Sequence, residues 1–453
     1  MNATSTVFAP RPELLSGWGG HPLLPCNVWS PRNTADLQQL EQLPDIIPRG
    51  EGRSYGDPSI ICDGNVILMS GLNRLLAFDP DQGLLQCQAG VTLADIQDKF
   101  IPQGWMLPVT PGTRFVQVGG AIAADVHGKN HHRTGAFSNW IREITLLHPD
   151  GRMLTCNQQV NREQLLATAG GMGLTGIILT ATLQMKRITV ARIRQRQTRV
   201  KSLEEMLSLL AAEDEQHEYS VAWLDCTATG NSWGRGVVFF GDDAQLNDLN
   251  EHQRLEPLQL RHPRELNLPW RMPSRLLSPA VIHAFNSLYW RTHSDREGLV
   301  DLYTFFYPLD SLRNWNRIYG KAGFTQYQFI LPEQRCESGV ADVLEQVSHY
   351  RGGSSLAVLK RMGAGNGLLS FPLPGITVAL DFPLRPGLFD LLTKLDDIVI
   401  QNQGRVYLAK DMRLSPRHLE EMYHELPRWR VLRDQCDPGR QLASSLSRRL
   451  ELT

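Results

Sequence analysis

The chain lacks any Cys-x-x-Cys pair, and its seven cysteines are scattered and odd in number. Disulfide frameworks and structural zinc sites both depend on cysteines that recur at short, regular spacings. The sequence therefore predicts neither of these features and no metal site, and it favours a reducing compartment.

An excess of charge of one sign is also lacking, because 46 basic residues stand against 47 acidic ones and the formal net charge is −1. A protein that binds nucleic acid, or that adheres as a whole to an anionic membrane, usually carries a basic excess. We therefore expect no nucleic-acid partner.

Long apolar runs are missing as well. The chain holds no stretch of about 18 apolar residues, the length that spans a bilayer. Its first residues lack the charged segment and apolar core of a secretory signal. We expect a soluble, cytoplasmic protein, and peripheral attachment at the inner face of a membrane remains open.

Glycine, by contrast, is abundant and clustered. The first cluster, with three glycines within seven residues, lies in the loop Arg49, Gly50, Glu51, Gly52, Arg53, Ser54, Tyr55, Gly56 and Asp57. Glycine permits positive φ and close backbone approach, so successive N–H groups can converge on a pyrophosphate. The loop predicts a dinucleotide site, and a plain glycine-rich surface turn is the alternative.

Two further clusters lie at residues 108–128 and 169–176. Their small residues let a flat ligand lie directly against the main chain. In the later cluster Gly171, Gly173 and Gly176 satisfy G-x-G-x-x-G, but a Rossmann fingerprint must open a helix, and strand-like residues follow here. We therefore reject Rossmann-type NAD binding and predict an α+β dinucleotide fold of another kind.

Local patterns predict how the chain is divided. Thr92 is expected to cap a helix that runs through Phe100 and ends near Gly104. Beyond about Thr189, charged segments alternate with aromatic-bearing strands, which predicts a second domain with an antiparallel sheet and covering helices. Residues 242–290 are rich in Leu, Pro and Arg and are predicted to form a long, partly irregular excursion, either a functional lid or disordered.

Alternation along residues 325–331 places Gln326 and Gln328 on one face of a strand and Tyr327 and Phe329 on the other. Two amides would then project together into a pocket. An ordinary solvated face is the alternative.

Several short motifs of the sequence resemble those of the decaprenylphosphoryl-β-D-ribose 2′-oxidase family, which belongs to the vanillyl-alcohol oxidase superfamily. These motifs are Gly52-Arg53-Ser54-Tyr55-Gly56-Asp57, Pro111-Gly112-Thr113-Arg114, His127-Gly128-Lys129-Asn130-His131-His132, Gly173-Leu174-Thr175-Gly176-Ile177-Ile178 and Ala409-Lys410-Asp411. The resemblance covers nearly the whole chain. It implies an α+β fold with a PCMH-type FAD-binding domain at 7–189, an antiparallel-sheet substrate domain at 190–404 and a C-terminal return to the first domain at 405–453.

The resemblance also implies a non-covalently held FAD, whose pyrophosphate would lie on residues 49–57. The other residues that it places along the cofactor are Gly112, Gln117, Val118, Gly119, Gly120, Ala124, Asp125, Val126, His127, Ile178, Tyr407 and Lys410. In other parts of the superfamily a histidine is joined covalently to the flavin. His127 and His132 are the candidates for such a bond in this chain.

Oxidation of a secondary alcohol needs a hydride acceptor, which FAD supplies, and a group that takes the hydroxyl proton. Lys410 and His127 are the candidates for that group, and Lys410 could instead stabilise negative charge on the reduced cofactor. By resemblance, Tyr55, Lys129, Gln326, Gln328 and Lys360 would surround the substrate. Lysines suit a phosphate and amides suit sugar hydroxyls. For Lys360, an ordinary charge at a strand end is the alternative.

The implied reaction is oxidation of the 2′-hydroxyl of a polyprenylphosphoryl-β-D-ribofuranose, after which a separate short-chain reductase would complete epimerisation to an arabinofuranose donor. A flavin oxidase or dehydrogenase of a soluble sugar, alditol or lactone, and a flavoprotein without enzymatic activity, are the alternatives. The chain departs from the family in one strand, where relatives often carry cysteine and asparagine and this sequence has Ala379 and Thr377.

Overall fold

The computed structural model describes residues 9–40, 43–228, 230–273, 277–350, 354 and 356–453. The strands in these ranges are β1 Arg11–Leu15, β2 Leu24–Trp29, β3 Ile46–Arg49, β4 Asn65–Leu68, β5 Leu75–Asp79, β6 Leu84–Gln88, β7 Trp105–Met106, β8 Ile141–Leu147, β9 Met153–Asn157, β10 Ile177–Gln184, β11 Lys186–Arg187, β12 Arg192–Val200, β13 Tyr219–Leu224, β14 Gly236–Asp243, β15 Leu266–Asn267, β16 Arg296–Asp301, β17 Leu312–Arg313, β18 Phe324–Pro332, β19 Ala357–Met362, β20 Gly375–Pro383 and β21 Arg405–Val406.

The α-helices in the same ranges are α1 Thr34–Gln38, α2 Leu93–Phe100, α3 Val118–Ala123, α4 His131–Thr134, α5 Arg162–Thr168, α6 Leu203–Glu213, α7 Glu251–Leu255, α8 Pro279–Thr292, α9 Leu302–Phe306, α10 Cys336–His349, α11 Leu388–Gln401, α12 Pro416–Met422, α13 Leu426–Cys436 and α14 Ser445–Arg449. No helix in the described ranges has both the length and the hydropathy needed to cross a bilayer.

Helix α2 begins and ends as its sequence predicts. Thr92 Oγ1 accepts from the Asp95 backbone N–H at 3.1 Å, and the Asp95 carboxylate accepts from the Thr92 backbone N–H at 3.2 Å. This reciprocal capping satisfies two N–H groups that the first turn would leave unpaired. A short 3₁₀ turn then closes at Gly104, where a φ of +82° favours glycine.

Two sheets form the N-terminal part of the structure. One has the order β1-β2-β4-β3, with β4 parallel to both β2 and β3, and the other is antiparallel with the order β5-β6-β10-β8-β9. Strand β10 begins directly after Gly176. The third glycine cluster thus leads into a strand and not into a helix, which confirms the reason for rejecting a Rossmann fingerprint.

A large sheet with the order β16-β12-β14-β13-β19-β20-β18-β21 follows, and neighbouring strands are antiparallel throughout. Tyr327 and Phe329 of β18 are buried in the core, and Tyr327 donates to Asp396 of α11 at 3.0 Å. Because side chains alternate along a strand, Gln326 and Gln328 face the opposite side of the sheet. The predicted α+β class with an antiparallel second sheet is confirmed.

The last part of the chain packs against the N-terminal part. The backbone of Ile46 accepts from Ala443 at 3.0 Å, and Trp429 donates to the carbonyl of Ala167 at 2.9 Å. Strand β21, however, pairs with β18 of the large sheet. The division at 189/190 and 404/405 stays a prediction.

The predicted excursion at 242–290 contains α7, β15 and most of α8, joined by irregular segments. Its residues 274–276 lie outside the described residues. Backbone hydrogen bonds tie Leu268 to Arg313 at 3.1 Å and Met272 to Arg317 at 2.9 Å. That this segment acts as a lid stays a prediction.

Candidate active site

A cavity lies between the first glycine loop, the segment 111–127 and the face of the large sheet that carries Gln326 and Gln328. Its volume is about 280 Å³. This lies near the lower end of the range of about 300–1,000 Å³ that is typical of small-ligand pockets. The sequence-predicted residues that line it are Gly50, Glu51, Gly52, Arg53, Ser54, Tyr55, Gly112, Gln117, Gly120, Ala124, Val126, His127, Gln326, Gln328, Lys360, Tyr407 and Lys410.

Close packing explains two of the glycines in the first loop. Gly52 has a φ of +63°, and a Cβ there would lie 2.2 Å from the Arg49 guanidinium. A Cβ on Gly56 would lie 1.9 Å from the carbonyl oxygen of Asp411. The loop therefore presses directly onto the segment that carries Lys410, and the Tyr55 backbone N–H donates to the Ala409 carbonyl at 3.0 Å.

Two residues predicted to contact the cofactor also brace this loop. Arg49 donates to the Ser16 carbonyl at 2.7 Å and to Ser59 Oγ at 3.2 Å. Asp57 is buried and paired with Arg449 at 2.9 Å. Among the described residues, Arg49, Gly56 and Asp57 do not line the cavity, and their contact with a cofactor stays a prediction.

Around α3, some of the residues predicted to contact the cofactor line a pocket, and others are buried behind it. Gly119 and Ile178 line a second pocket, which adjoins the cavity at Ser54, Ser59, Gln117, Gly120 and Ala124. Val118 is fully buried. Asp125 has a φ of +41° and accepts from the Ser138 backbone N–H at 3.0 Å and from Ser370 Oγ. Val118 and Asp125 therefore support the turn from behind, and their cofactor role stays a prediction.

The two joined pockets suit an extended dinucleotide. A Cβ on Gly120 would meet no protein atom within 4 Å, so this glycine is not required by packing between protein atoms. The side-chain oxygen of Gln117 is buried and has no hydrogen-bond partner among the described residues. Met172, Gly173 and Gly176 of the third glycine cluster line the second pocket. Open backbone and an unpartnered polar atom are what a cofactor would fill, so the residues present fit FAD.

Lys410, Tyr55 and Asp381 are three buried titratable residues near the sheet. The Lys410 nitrogen lies 3.7 Å from the centre of the Tyr55 ring. Burial and the nearby Lys360 charge lower the pKa of Lys410, while the Asp381 charge acts to raise it, and the resulting pKa is about 7. Burial raises the pKa of the Asp381 carboxyl, and burial likewise raises the pKa of the Tyr55 phenol well above its ordinary value. Tyr55 is therefore a neutral donor, whereas Lys410 can lose its proton near neutral pH.

Gln326 is oriented by Asp381. Its Nε2 donates to Asp381 Oδ1 at 2.6 Å, and the Tyr319 hydroxyl donates to Asp381 Oδ2 at 3.4 Å. The two strands place Gln326 directly opposite Asp381. Because the amide nitrogen makes the bond to Asp381, the amide oxygen of Gln326 is available to accept a hydrogen bond from a hydroxyl.

His127 lies between the sheet and Tyr407. Its Nε2 is 2.9 Å from Nε2 of Gln328, and its ring centre is 5.2 Å from that of Tyr407. The Tyr407 hydroxyl donates to the Ala124 carbonyl at 2.7 Å, which holds this ring in place. Burial, followed by the charges of Lys360, His131 and Lys410, lowers the pKa of His127 well below its ordinary value. His127 is therefore a neutral imidazole.

The two lysines predicted to bind substrate differ in their position relative to the cavity. Lys360 lines the cavity, and burial lowers its pKa to about 8. Lys129 lies outside the lining of the cavity in the described structure: its ammonium donates to the Phe305 carbonyl and lies 4.3 Å from the centre of the Phe305 ring. Burial, followed by the Lys360 charge, lowers the pKa of Lys129 to about 7. Its contact with substrate stays a prediction.

Several lining residues were not expected from the sequence. Trp18 and Trp315 meet edge to face at 5.8 Å at the cavity and come from positions almost 300 residues apart. No local pattern marks them. The aromatic residues Trp223, Phe305, Phe306 and Tyr307 are buried in the core.

The fold and cavity are those of an FAD-binding oxidoreductase. Residues 27–157 match the FAD binding domain family. The chain is 36% identical, over 99% of its length and all of the relative, to decaprenylphosphoryl-β-D-ribose oxidase of Mycolicibacterium smegmatis. It is 34% identical over 80% of its length to an uncharacterised protein of Streptomyces coelicolor, and 33% identical over 30% of its length to L-gulonolactone oxidase of Mus musculus, of which 30% is covered. The chain belongs to the decaprenylphosphoryl-β-D-ribose oxidase family.

Proposed function

We propose that this enzyme oxidises the 2′-hydroxyl of a polyprenylphosphoryl-β-D-ribofuranose to the 2′-ketone. The observation that carries the proposal is that Lys410, Lys360, Gln326 and Gln328 line one cavity beside the glycine loop. The full-length similarity to a relative named for this substrate supports it. Similarity to L-gulonolactone oxidases covers less than half of the chain and supports a soluble-lactone substrate more weakly.

Lys410 takes the hydroxyl proton. A general base works best when its pKa is near the working pH, and the pKa of Lys410 is lowered to about 7. Tyr55 holds its nitrogen in place from the loop side. Bound FAD supplies the hydride acceptor for the carbon that loses its hydrogen.

Lys360 and the paired amides bind the rest of the substrate head group. The Lys360 ammonium, buried at the cavity wall, attracts a phosphate anion. The Gln326 oxygen, left free by Asp381, accepts from a ribose hydroxyl. These contacts would orient one hydroxyl toward Lys410, and free ribose lacks the phosphate that Lys360 binds.

Analysis of the product tests this proposal. Prenylphosphoryl ribose carrying deuterium at C2′ would be incubated with the FAD-loaded enzyme and an artificial electron acceptor, and the product examined by mass spectrometry. We expect loss of the C2′ deuterium and of the hydroxyl hydrogen, together with a kinetic isotope effect. Retention of the C2′ deuterium in an oxidised product would place the reaction at another carbon and contradict the proposal.

The product is a keto sugar, and its conversion to the 2′-epimer requires a hydride donor. We infer that a short-chain reductase is the partner reaction. Reductase and nicotinamide cofactor added to the oxidised product should yield the arabino epimer, measured by sugar analysis. Return to the ribo sugar alone would contradict this assignment.

The cofactor is held without a covalent bond in this proposal. His132, one of the two candidate attachment residues, lies outside the cavity lining in the described structure, and its Nε2 is 3.2 Å from the His217 carbonyl oxygen. Acid precipitation of the purified protein should leave all yellow flavin in the supernatant. Flavin retained in the washed pellet would contradict non-covalent binding.

Because the proposed substrate is a lipid, we expect this protein to make a peripheral contact with a membrane. Phe285 and Leu288 of α8 are 58% and 62% exposed, and Leu266 and Trp270 are each 69% exposed. The sequence from 257 to 291 carries five arginines and one acidic residue, namely Arg261, Arg264, Arg271, Arg275, Arg291 and Glu265. Apolar side chains with a local basic excess suit an anionic membrane surface.

A further inference from the structure

Thr377 of β20 controls the direction of a short hydrogen-bond chain that ends at His127. Its hydroxyl donates to the Phe329 carbonyl at 2.8 Å. A carbonyl oxygen can only accept, so the single hydroxyl hydrogen of Thr377 is committed to this bond. Thr377 Oγ1 can then only accept from its other neighbour.

That neighbour is Gln328. Its amide lies 3.3 Å from Thr377 Oγ1. Because Thr377 has no hydrogen left to give, the amide group that faces it must be the NH₂. The same nitrogen lies 2.9 Å from Nε2 of His127. The second hydrogen of the amide therefore points at the histidine ring.

His127 Nε2 must then accept, and an accepting ring nitrogen carries no proton. A neutral imidazole holds its one proton on the other nitrogen, Nδ1. An imidazolium would set two N–H groups against each other at this contact, and the charges of Lys360, His131 and Lys410 oppose it further. His127 Nδ1 is buried and has no hydrogen-bond partner among the described residues.

We propose that Thr377 and Gln328 are positioning residues that hold His127 as its Nδ1–H tautomer, so that His127 donates a hydrogen bond to an acceptor atom in the cavity and does not act as the base. The acceptor is an oxygen or ring nitrogen of the cofactor or of the substrate. This proposal rests on the proposed function for its place in the oxidation. It leaves Lys410 as the base.

Nitrogen NMR of the FAD-loaded protein labelled with ¹⁵N-histidine tests the tautomer without turnover. The His127 signals are those absent from the spectrum of His127→Asn. We expect a protonated Nδ1 and an unprotonated Nε2, in the wild type and in Thr377→Ser. Thr377→Val should show a second population with the proton on Nε2. A protonated Nε2 in the wild type, or a single unchanged tautomer in Thr377→Val, would overturn the proposal.

The same spectra identify the acceptor. If the Nδ1–H signal moves when FAD is added to apoprotein, the acceptor belongs to the cofactor. If it moves only when a prenylphosphoryl ribose is added, the acceptor belongs to the substrate. A signal that neither addition moves would overturn the donor role. Because the tautomer is read without any substrate, failure of the proposed substrate would leave that result standing.

Two replacements of His127 separate donor from base by kinetics. The amide nitrogen of asparagine can occupy the position of Nδ1, whereas that of glutamine reaches the position of Nε2. His127→Asn should keep at least ten times the kcat of His127→Gln, and the pH dependence of kcat/KM should be unchanged in both. If both variants lost kcat equally, and if kcat/KM no longer fell at low pH in either variant, His127 would be the base and the proposal would be overturned.

Discussion

The Lys410 nitrogen lies 3.7 Å from the centre of the Tyr55 ring, so the proposed base rests directly on the glycine loop. The Tyr55 backbone also donates to the carbonyl of Ala409, the residue before Lys410. The glycine loop, which lines the cavity, is therefore in direct contact with the segment that carries the proposed base. A shift of the loop would move the base.

Replacement of Lys410 tests whether it acts as a base or as a fixed charge. Lys410→Met should lower kcat by about 10²–10⁴-fold, the usual contribution of general acid–base catalysis, with KM changed only a few-fold. Lys410→Arg keeps the positive charge but cannot be deprotonated, and we expect the same loss. An arginine variant with near-normal kcat would show that the charge alone matters.

The pH dependence of kcat/KM follows from the pKa of Lys410, which is lowered to about 7. A base acts only when deprotonated, so kcat/KM should rise as pH rises through about 7. It should fall again at higher pH, because the pKa of Lys360 is about 8 and its neutral form no longer attracts the substrate phosphate. The negative charge of Asp381 raises the pKa of Lys410. Asp381→Asn should therefore move the midpoint of the rise to lower pH. A midpoint that stays unchanged, or moves upward, would contradict the coupling.

Glycine replacements test the fit of the cofactor. A Cβ on Gly120 meets no protein atom within 4 Å, so Gly120→Ala should fold normally and weaken FAD binding, measured by titration of apoprotein. In Gly56→Ala the new Cβ would clash with the Asp411 carbonyl, so the melting temperature itself should fall. Gly298, on a strand with equally open space, serves as a neutral control. Unchanged FAD affinity in Gly120→Ala would remove this glycine from the cofactor site.

Two adjacent arginines of α14 should differ sharply in their effect on stability. Arg449 pairs with the buried Asp57 and Asp411, each at 2.9 Å. Arg449→Met leaves two buried carboxylates unpaired and should cost about 3–5 kcal/mol of unfolding free energy. Arg448 makes an exposed pair with Asp45, and Arg448→Met should cost at most about 1 kcal/mol. Denaturant unfolding of both variants measures the difference, and equal losses would contradict the account of the loop brace.

The membrane contact can be tested by co-sedimentation with vesicles that contain phosphatidylglycerol. The double variant Phe285→Ser, Leu288→Ser should lose most vesicle binding. The control Met153→Ser, Val431→Ser changes side chains that are 60% and 58% exposed elsewhere, and it should bind as the wild type does. Equal binding of all three proteins would exclude α8 from the contact.

The sequence predicts features that local spacing determines. The Thr92 cap of α2, the strand after Gly176 and the shared face of Gln326 and Gln328 all depend on neighbours within a few residues. The partners of Gln326 and Lys129 were missed, because Asp381 and Phe305 lie 55 and 176 residues away along the chain. Long-range pairing of strands and helices sets these contacts, and no pattern in a single sequence carries that information.

The most direct test of the proposed reaction is anaerobic titration of the FAD-loaded enzyme with a short-chain prenylphosphoryl ribose, followed by flavin absorbance. Free ribose, an alditol and a sugar lactone serve as controls. We predict that the prenylphosphoryl ribose bleaches the flavin and that the controls do not. Bleaching by a free sugar or lactone while the prenylphosphoryl ribose leaves the flavin yellow would contradict the proposed function.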